Sequence, residues 1–186
     1  MNDSTQRLLN ELEIFGRRND GYYNIPPETG DFLYNLVAIS KAKNILEVGT
    51  SNGYSTIWLA EAASRHKGKV TTIEISGHKI KMAAFNFKRA HHDRRIKLIN
   101  GDALKEIQKL KGKFDFMFID AVKSDYINYF KLAYPHLAKN AVIVADNAIM
   151  FKNEMSEYLK FVRTHKFLRS VLIPIGTGIE FSVKLE

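Results

Sequence analysis

The sequence predicts an α/β fold with a mostly parallel sheet, helices on both faces and an antiparallel last strand. Two observations lead to this prediction. Five short apolar runs alternate with segments of helical periodicity, a pattern that is typical of successive strand–helix units. After the fifth unit, two further apolar runs flank Ile175-Gly176-Thr177-Gly178. That connection is typical of a hairpin turn, which places one antiparallel strand in the sheet.

Two helices are expected ahead of the first strand. The first is predicted over residues 4–15, with an apolar face formed by Leu8, Leu9, Leu12 and Phe15. This face needs a surface to pack on. We expect a homodimer to supply it, with packing on the chain's own domain as the alternative. After an extended stretch at residues 24–27, the second helix is predicted over residues 28–40, since Pro27 is tolerated in a first helical turn.

The five strand–helix units and the hairpin follow in order, and no linker or internal repeat interrupts them. The strands are predicted at residues 44–48, 69–75, 96–100, 114–119 and 140–145, and the hairpin strands at 168–174 and 179–185. The helices after the first five strands are predicted at residues 53–64, 77–90, 102–110, 123–138 and 153–165. Residues 1–186 are therefore expected to form one domain, with residues 1–40 covering its binding site.

Composition excludes several classes of protein. The chain has 186 residues, of which 45% are hydrophobic and 26% charged, and no apolar run approaches the roughly 18 residues that span a bilayer. The polar N-terminus lacks a secretory h-region, so we expect a cytoplasmic protein without a membrane segment. The absence of cysteine excludes disulfides, thiolate metal sites and cysteine nucleophiles. The six histidines show no zinc-like spacing backed by a third ligand.

The chain is basic, with a formal net charge of +8 and a pI near 9.5. Such a balance fits an anionic partner, nucleic acid included, and it also fits a merely lysine-rich surface. The basic clusters are modest, and none alternates with aromatic residues as a base-stacking platform would. Both interpretations therefore stay open at the level of sequence.

Polar residues follow two of the predicted strands where ligands bind in open α/β sheets. Asp120 ends the fourth strand, and Asp146-Asn147 ends the fifth. Two carboxylates and an amide oxygen suit magnesium or another hard divalent cation. Lys123 lies three residues after Asp120, where a neutral amine could take a proton from a metal-bound hydroxyl. The alternatives are a helix N-cap for Asp120, a turn at Asp146-Asn147 and a solvated surface lysine.

A glycine loop follows the first strand. Gly49 ends that strand and Gly53 opens the next helix, so the backbone can approach a ligand closely. The pattern is Glu-x-Gly-x-x-x-Gly rather than the dinucleotide Gly-x-Gly-x-x-Gly, and no lysine follows to grip phosphates. Ser55 and the free amides at the helix start could instead hold a carboxylate.

Two acidic residues complete a nucleoside-like site. Glu74 ends the second strand, where an acid can accept both ribose hydroxyls, and Asp102 follows the third strand at a position suited to an adenine amine. A ribose, an adenine and a small carboxylate, without a pyrophosphate, describe S-adenosylmethionine. An ordinary strand-to-helix turn at the glycines and a solvated strand end at Glu74 are the alternatives for each feature taken alone.

The combination resembles the cation-dependent O-methyltransferases, the family of catechol and caffeoyl-CoA O-methyltransferases. The resemblance runs from about residue 22 onward and rests on residues 27–30, 46–55, 72–74, 101–103, 119–123, 145–147 and 174–176. It implies a Rossmann-like, seven-stranded class I methyltransferase fold, with S-adenosylmethionine as methyl donor and a divalent cation, Mg²⁺ or a similar ion.

The resemblance also assigns roles residue by residue. It implies that Asp120, Asp146 and Asn147 bind the metal and that Lys123 is the general base. The residues that it places around the cofactor are Ile25, Glu47, Gly49, Thr50, Ser51, Gly53, Tyr54, Ser55, Glu74, Ile75, Gly101, Asp102, Ala103 and Asp120. Among them, Glu74 would hold the ribose, Asp102 with Ala103 the adenine, and Ser55 with the Gly49 region the methionine end.

The methyl acceptor is open to more than one prediction. A small molecule with vicinal hydroxyls, such as a catechol, would explain the need for a metal, because two adjacent oxygens can chelate it. The alternative is a tRNA methyltransferase acting on a hydroxylated wobble uridine, which the basic charge would favour. A binding protein or dehydrogenase that shares only the fold is the third candidate. The short stretch at residues 148–166 further predicts an acceptor site more open than in the small-catechol enzymes.

Overall fold

The computed structural model describes Met1 and residues 3–186, over which the chain forms seven strands, seven α-helices and three short 3-10 turns. The strands are β1 Asn44–Val48, β2 Lys69–Glu74, β3 Ile96–Asn100, β4 Phe114–Ile119, β5 Leu137–Ala145, β6 Leu168–Ile173 and β7 Ile179–Lys184. The α-helices are α1 Asp3–Arg18, α2 Pro27–Ser40, α3 Tyr54–Ser64, α4 Gly77–Arg89, α5 Ala103–Glu106, α6 Tyr126–Ala133 and α7 Ser156–Thr164. The 3-10 turns are Ile107–Lys109, Lys123–Asp125 and Tyr134–His136.

The strands form one sheet in the order β3-β2-β1-β4-β5-β7-β6. Strands β1 to β5 pair in parallel, and β7 runs antiparallel to both β5 and β6. This confirms the predicted fold class, including the antiparallel last strand. Crossover helices account for the parallel pairing, because each helix returns the chain to the end of the sheet at which the previous strand began.

The register brings the carboxyl ends of four strands to one line. Val48 of β1 lies opposite Ile73 of β2 and Ile119 of β4, and Ile119 lies opposite Ala145 of β5. Backbone hydrogen bonds continue this line one residue further, since the amide of Gly49 donates to Ile73 at 3.0 Å. The residues that follow these strands therefore share one end of the sheet.

The sheet lies between two layers of helices. On one face, α1 to α4 contribute to an apolar cluster that includes Leu33, Ile57 and Phe116. On the other face, Phe130 of α6 and Leu159 of α7 share a second cluster with Met117 of β4. No helix of the described chain is long and apolar enough to cross a membrane.

Helix α1 packs on its own chain. Its residues Leu8, Leu9 and Leu12 are buried in the same cluster as α2 and α3, and its Glu11 pairs with Arg89 of α4. The apolar face that suggested a homodimer is therefore covered within the chain. It no longer supports the expectation of a homodimer.

Several element boundaries differ from the prediction. The helix expected over residues 123–138 is divided into a 3-10 turn, α6 and a second turn around Pro135, and β5 begins at Leu137 rather than at residue 140. Proline cannot donate a helical hydrogen bond and disfavours the α conformation in the preceding residue, so the helix ends at Ala133. The last crossover helix likewise begins only at Ser156.

Candidate active site

The loop after β1 is shaped by contacts within the chain. Gly49 has a φ of +96°, and a Cβ there would overlap the carbonyl oxygen of Asp120 on the neighbouring strand. Gly53 has a φ of +91°, and a Cβ there would lie 2.6 Å from the Phe87 ring. Both positions therefore require glycine for packing as well as for backbone conformation. The close approach of the loop to Asp120 also joins the two parts of the predicted site.

Glu74 fixes the far side of this loop. Its Oε2 accepts a hydrogen bond from the Ser51 amide at 2.8 Å, and its Oε1 accepts from the amides of Ile75 and Ser76 at 3.1 and 2.9 Å. A carboxylate held by three amides has a defined orientation and still has lone pairs for further donors. Glu74 is therefore a positioned acceptor rather than a solvated strand end.

A cavity of about 500 Å³ lies between the loop and the ends of the strands. Twelve of the fourteen residues predicted around a cofactor line it, and Glu47 and Gly53 do not. Ser51 Oγ and Asn52 Nδ2 are buried at its wall without a hydrogen-bond partner in the described chain. Buried polar atoms are normally paired, so these two atoms fit a polar ligand in the cavity.

Sequence reasoning missed several residues of this wall, among them Tyr23, Lys79, Leu104 and Tyr129. They lie on the segment before α2, on α4, on α5 and on α6, and no short motif includes them. Asp102 occupies the expected position at the cavity. It is also the N-cap residue of α5, since its Oδ1 accepts a hydrogen bond from the Leu104 amide at 2.9 Å.

Glu47 lies beneath the loop rather than at the cavity. Its side chain is fully buried, and its two carboxylate oxygens accept hydrogen bonds from Ser55 Oγ at 2.7 Å and Thr56 Oγ1 at 2.5 Å. Burial raises the pKa of Glu47 from 4.5 to about 7, against the opposing effect of these hydrogen bonds. Glu47 thus anchors the start of α3 to β1, and its hydrogen bond to Ser55 connects it to the cavity wall.

This burial predicts a specific pH dependence of stability. Because the folded-state pKa of Glu47 is raised, the folded protein binds more protons than the unfolded chain between pH 4.5 and about 7, and the free energy of unfolding falls as pH rises through that window. The shift corresponds to about 3 kcal/mol. In Glu47→Gln this contribution is absent, so urea unfolding at successive pH values should show the wild type gaining stability over the variant towards acid pH. A stability difference that stays constant between pH 4.5 and 7 would contradict the assignment.

Asp120, Asp146 and Asn147 come together at the ends of β4 and β5. Asp146 is 1% exposed, and burial together with the negative charge of Asp120 raises its pKa from 3.8 to about 7. Thr177 of the hairpin turn connects the group, donating to Asp146 Oδ1 and accepting from Asn147 Nδ2, both at 2.9 Å. Sequence reasoning missed Thr177, which lies in a turn and belongs to no motif of the site.

The donor set of these three residues suits a hard cation. Asn147 Oδ1 is buried without a hydrogen-bond partner within the described residues, and two carboxylates lie close to it. Unpaired oxygen atoms beside mutually repelling carboxylates are the ligands that Mg²⁺ or Ca²⁺ takes in proteins. The described residues contain no group of three or more His, Cys, Asp or Glu side chains that could hold a metal. The present set is of another kind, because its third oxygen comes from an amide.

Lys123 is paired rather than solvated. Its Nζ donates to Asp120 Oδ1 at 2.8 Å, and the side chains of both residues are 19% exposed. The rings of Tyr126 and Phe151 lie 5.5 and 5.7 Å from the same nitrogen. The carboxylate of Asp120 therefore engages Lys123 and not a helix N-terminus, which excludes the capping alternative. The turn alternative holds in part, since Asn147 has a φ of +70° while its side chain joins the site.

A second cavity, of about 640 Å³, adjoins the first. The two share five residues, which are Tyr23, Asn24, Ile25, Asp120 and Lys123. Residues of α1, the loop after β5 and the hairpin turn complete the wall of the second cavity, among them Arg17, Phe151 and Thr177. At its rim, Tyr23 is 83% and Met150 63% exposed.

Several known proteins are similar to this chain in sequence or in structure. A family model described as O-methyltransferase matches residues 2–185. A catechol O-methyltransferase from Niastella koreensis is 38% identical over 130 residues, which are 68% of this chain and 58% of that protein. A catechol O-methyltransferase from Mycobacterium tuberculosis is 37% identical over 126 residues, which are 67% of this chain and 57% of that protein. The chain thus spans less than two thirds of the length of these relatives. The structure of an O-methyltransferase from Bacillus cereus in complex with SAH has a TM-score of 0.86 and 29% identity, covering 99% of this chain and 92% of that one.

Proposed function

The chain belongs to the O-methyltransferase family, and we propose that it transfers a methyl group from S-adenosylmethionine to one of two vicinal hydroxyls on a catechol-like small molecule, with a divalent cation bound. The observation that carries this proposal is the meeting of the two cavities at Asp120 and Lys123. A donor in the first cavity and an acceptor in the second would face each other across these residues, and holding reactants in line supplies much of catalysis in such transfers.

The first cavity would hold S-adenosylmethionine. Glu74 would accept the ribose hydroxyls with the lone pairs that its three amide contacts leave free, and Asp102 with Ala103 would contact the adenine. Ser55, with the loop around Gly49, would hold the methionine end. The unpaired Ser51 Oγ and Asn52 Nδ2 support a polar occupant of this wall.

The metal would be held by Asp120, Asp146 and Asn147. When bound, a divalent cation favours the ionised form of a coordinated hydroxyl and fixes its position. Thr177 holds Asp146 and Asn147 in one arrangement, so the ligands need little reorganisation. Two adjacent hydroxyls can chelate one ion, which is the reason to propose a vicinal acceptor.

Lys123 would act as the general base. Its side chain lies at the wall that both cavities share, where, as the neutral amine, it would accept the proton of the reacting hydroxyl and become an ammonium beside Asp120. Tyr126 and Phe151 restrict its side chain, and Asp120 orients it through the 2.8 Å hydrogen bond. The hydroxyl oxygen would then form its bond to the methyl carbon as the bond from that carbon to sulfur breaks.

The charge around the second cavity favours a small acceptor over tRNA. Its charged wall residues are Glu13, Arg17, Glu28, Asp120, Lys123 and Asp146, and the guanidinium of Arg17 is paired with Glu13 at 2.5 Å. A nucleic-acid acceptor calls for a positive surface around the site. With a divalent cation at Asp120 and Asp146, the rest of the described wall carries two acids and two bases, so it offers no positive surface and no observation at this site favours the tRNA alternative.

Transfer of labelled methyl from S-adenosylmethionine to a catechol panel, with Mg²⁺ or with chelator, tests the proposal. We expect transfer only with metal, and Asp146→Asn, which keeps the acceptor for Thr177, should lower kcat/KM about 100- to 1000-fold because several kcal/mol of charge stabilisation are lost. Mn²⁺ binding to the same variant should weaken, whereas Asp31→Asn on the exposed face of α2 should leave both unchanged. Equal transfer with chelator, or transfer to bulk tRNA alone, would overturn the proposal.

A further inference from the structure

The excess positive charge of the chain is concentrated at the end of the sheet opposite the two cavities. The segments that precede β1 to β6 and the first residues of these strands lie there, and so do the residues at the end of β7, because that strand runs antiparallel. We call this surface the basic edge, made of residues 41–43, 65–69, 91–95, 111–115, 139, 166 and 184–186. It holds 12 of the 28 Lys and Arg residues but only three of the 20 Asp and Glu residues, so the rest of the chain is close to neutral.

The basic edge is continuous. The amide of Lys69 donates to the carbonyl of Lys43 at 2.8 Å, and the amide of Val70 donates to the carbonyl of Arg95 at 2.9 Å. At the far side of the sheet, the amide of Leu185 donates to the carbonyl of Phe167 at 2.9 Å. Seven neighbouring strands at about 4.8 Å spacing give a row about 29 Å long. The row is therefore a line of cations rather than an isolated cluster.

These cations lack acidic partners. None of the ion pairs between described residues involves a Lys or Arg of the basic edge, and ten of the twelve side chains are exposed. The carboxylate of Asp115 instead accepts the backbone amides of Lys43 and Asn44. Burial and the charge of Lys113 both lower the pKa of Lys184, which indicates crowding of like charges. Such a row favours a bound polyanion.

We infer that the basic edge binds the phosphate backbone of a nucleic acid, at a surface separate from the proposed active site. A nucleic-acid strand carries one phosphate per about 3.4 Å, so a strand segment as long as the row presents about nine phosphates. The five residues of β1 separate the row from the cavities by roughly 17 Å, so the bound strand is not the methyl acceptor. Phosphate contacts position a backbone without reading sequence, so binding is expected to be sequence-independent.

The apolar content of the edge argues against a membrane as the partner. Peripheral proteins that bind anionic lipid combine basic residues with exposed apolar side chains that enter the interface. Among the residues that the structure describes, no segment of the basic edge carries an exposed large apolar side chain. Ile39, which is 80% exposed two residues before Lys41, is a single apolar side chain beside the edge, so a phosphate polymer is the better match for this surface.

A quadruple variant tests this inference. Lys43, Lys69, Arg94 and Lys139, all exposed, would be replaced by glutamine, and the matched control would replace the exposed Lys81, Lys105, Lys152 and Lys160. Binding to labelled mixed-sequence RNA of about 30 nucleotides would be measured by fluorescence anisotropy between about 50 and 200 mM salt. Four lost contacts should reduce the slope of log K against log salt by about 3, which lowers the affinity about 1000-fold at 0.1 M salt relative to equal binding near 1 M. The control should bind within about twofold of the wild type.

Two results would overturn the inference. The first is equal weakening of RNA binding in both quadruple variants, which would reflect net charge rather than the basic edge. The second is binding to vesicles of phosphatidylcholine and phosphatidylserine without binding to RNA, which would assign the edge to a membrane. Methyl transfer to a catechol, measured on the same samples, should be unchanged by the edge variant. Because this readout is independent of RNA binding, failure of one proposal is visible apart from the other.

Discussion

Replacement of Lys123 by alanine is expected to lower kcat for methyl transfer roughly 10²- to 10⁴-fold, the contribution of a positioned general base. Lys123 is the one amine at the wall shared by the two cavities in the part of the chain described here. Its removal leaves the lining of the first cavity otherwise intact, so the Kd for S-adenosylmethionine should change little. Single-turnover kinetics and calorimetric titration would measure the two quantities separately.

Lys123→Arg distinguishes a base from a positive charge. Arginine keeps the cation beside Asp120 but stays protonated, so activity should remain as low as in the alanine variant. Lys105→Ala, on the exposed surface of α5, is the matched control and should retain wild-type activity. Recovery of activity in Lys123→Arg would show that the residue contributes charge alone and would contradict its assignment as the base.

Gly49→Ala is expected to cost both stability and activity. The new Cβ would overlap the carbonyl oxygen of Asp120, and the φ of +96° would strain any other residue. Strain and overpacking each cost about 1–3 kcal/mol, so the Tm should fall by roughly 5–15 °C. Because the overlap moves Asp120 itself, metal-dependent transfer should be lost even below the lowered Tm.

Gly77→Ala serves as the control for Gly49→Ala. Gly77 begins α4, and a Cβ there would meet nothing within 4 Å. This variant should fold with an unchanged or slightly higher Tm, because alanine restricts the unfolded chain more than glycine does. Equal Tm values for the two variants, measured by calorimetry, would show that the loop can move away from β4 and would contradict the tight packing.

The fold was predictable because its signal is local and repeated. Each strand is an apolar run, each crossover is a helix, and the chain direction then follows from simple rules of connection. The ends of such strands necessarily meet, so Asp120, Asp146 and Asn147 could be grouped without a structure. The end of α6 at Ala133 could also be predicted from the sequence, since Pro135 marks it. The helix expected over residues 123–138 was too long because it extended the helical periodicity past this proline.

Other features depend on tertiary contacts that no short segment reveals. Thr177 reaches Asp146 only because β7 returns beside β5, and Tyr23 reaches both cavities only because of the path before α2. Glu47 differs from Thr177 and Tyr23, because its burial could be predicted from the sequence. A residue in the middle of a strand that is covered on both faces has to be buried, whatever its charge. Its place in a cofactor-like motif suggested ligand contact, whereas its burial makes it a support for α3.

The bridge from Thr177 to Asp146 has a consequence for synthesis of the protein. The ribosome adds Thr177 31 residues after Asp146, at about 5–20 residues per second. Until the hairpin has emerged and β7 has paired with β5, the carboxylate and amide at the end of β5 lack the hydroxyl that orients them. A nascent chain that has paired its first five strands would therefore still lack the contact that orients the proposed metal ligands. Under the proposed function, competence for methyl transfer would be acquired late, when the turn closes.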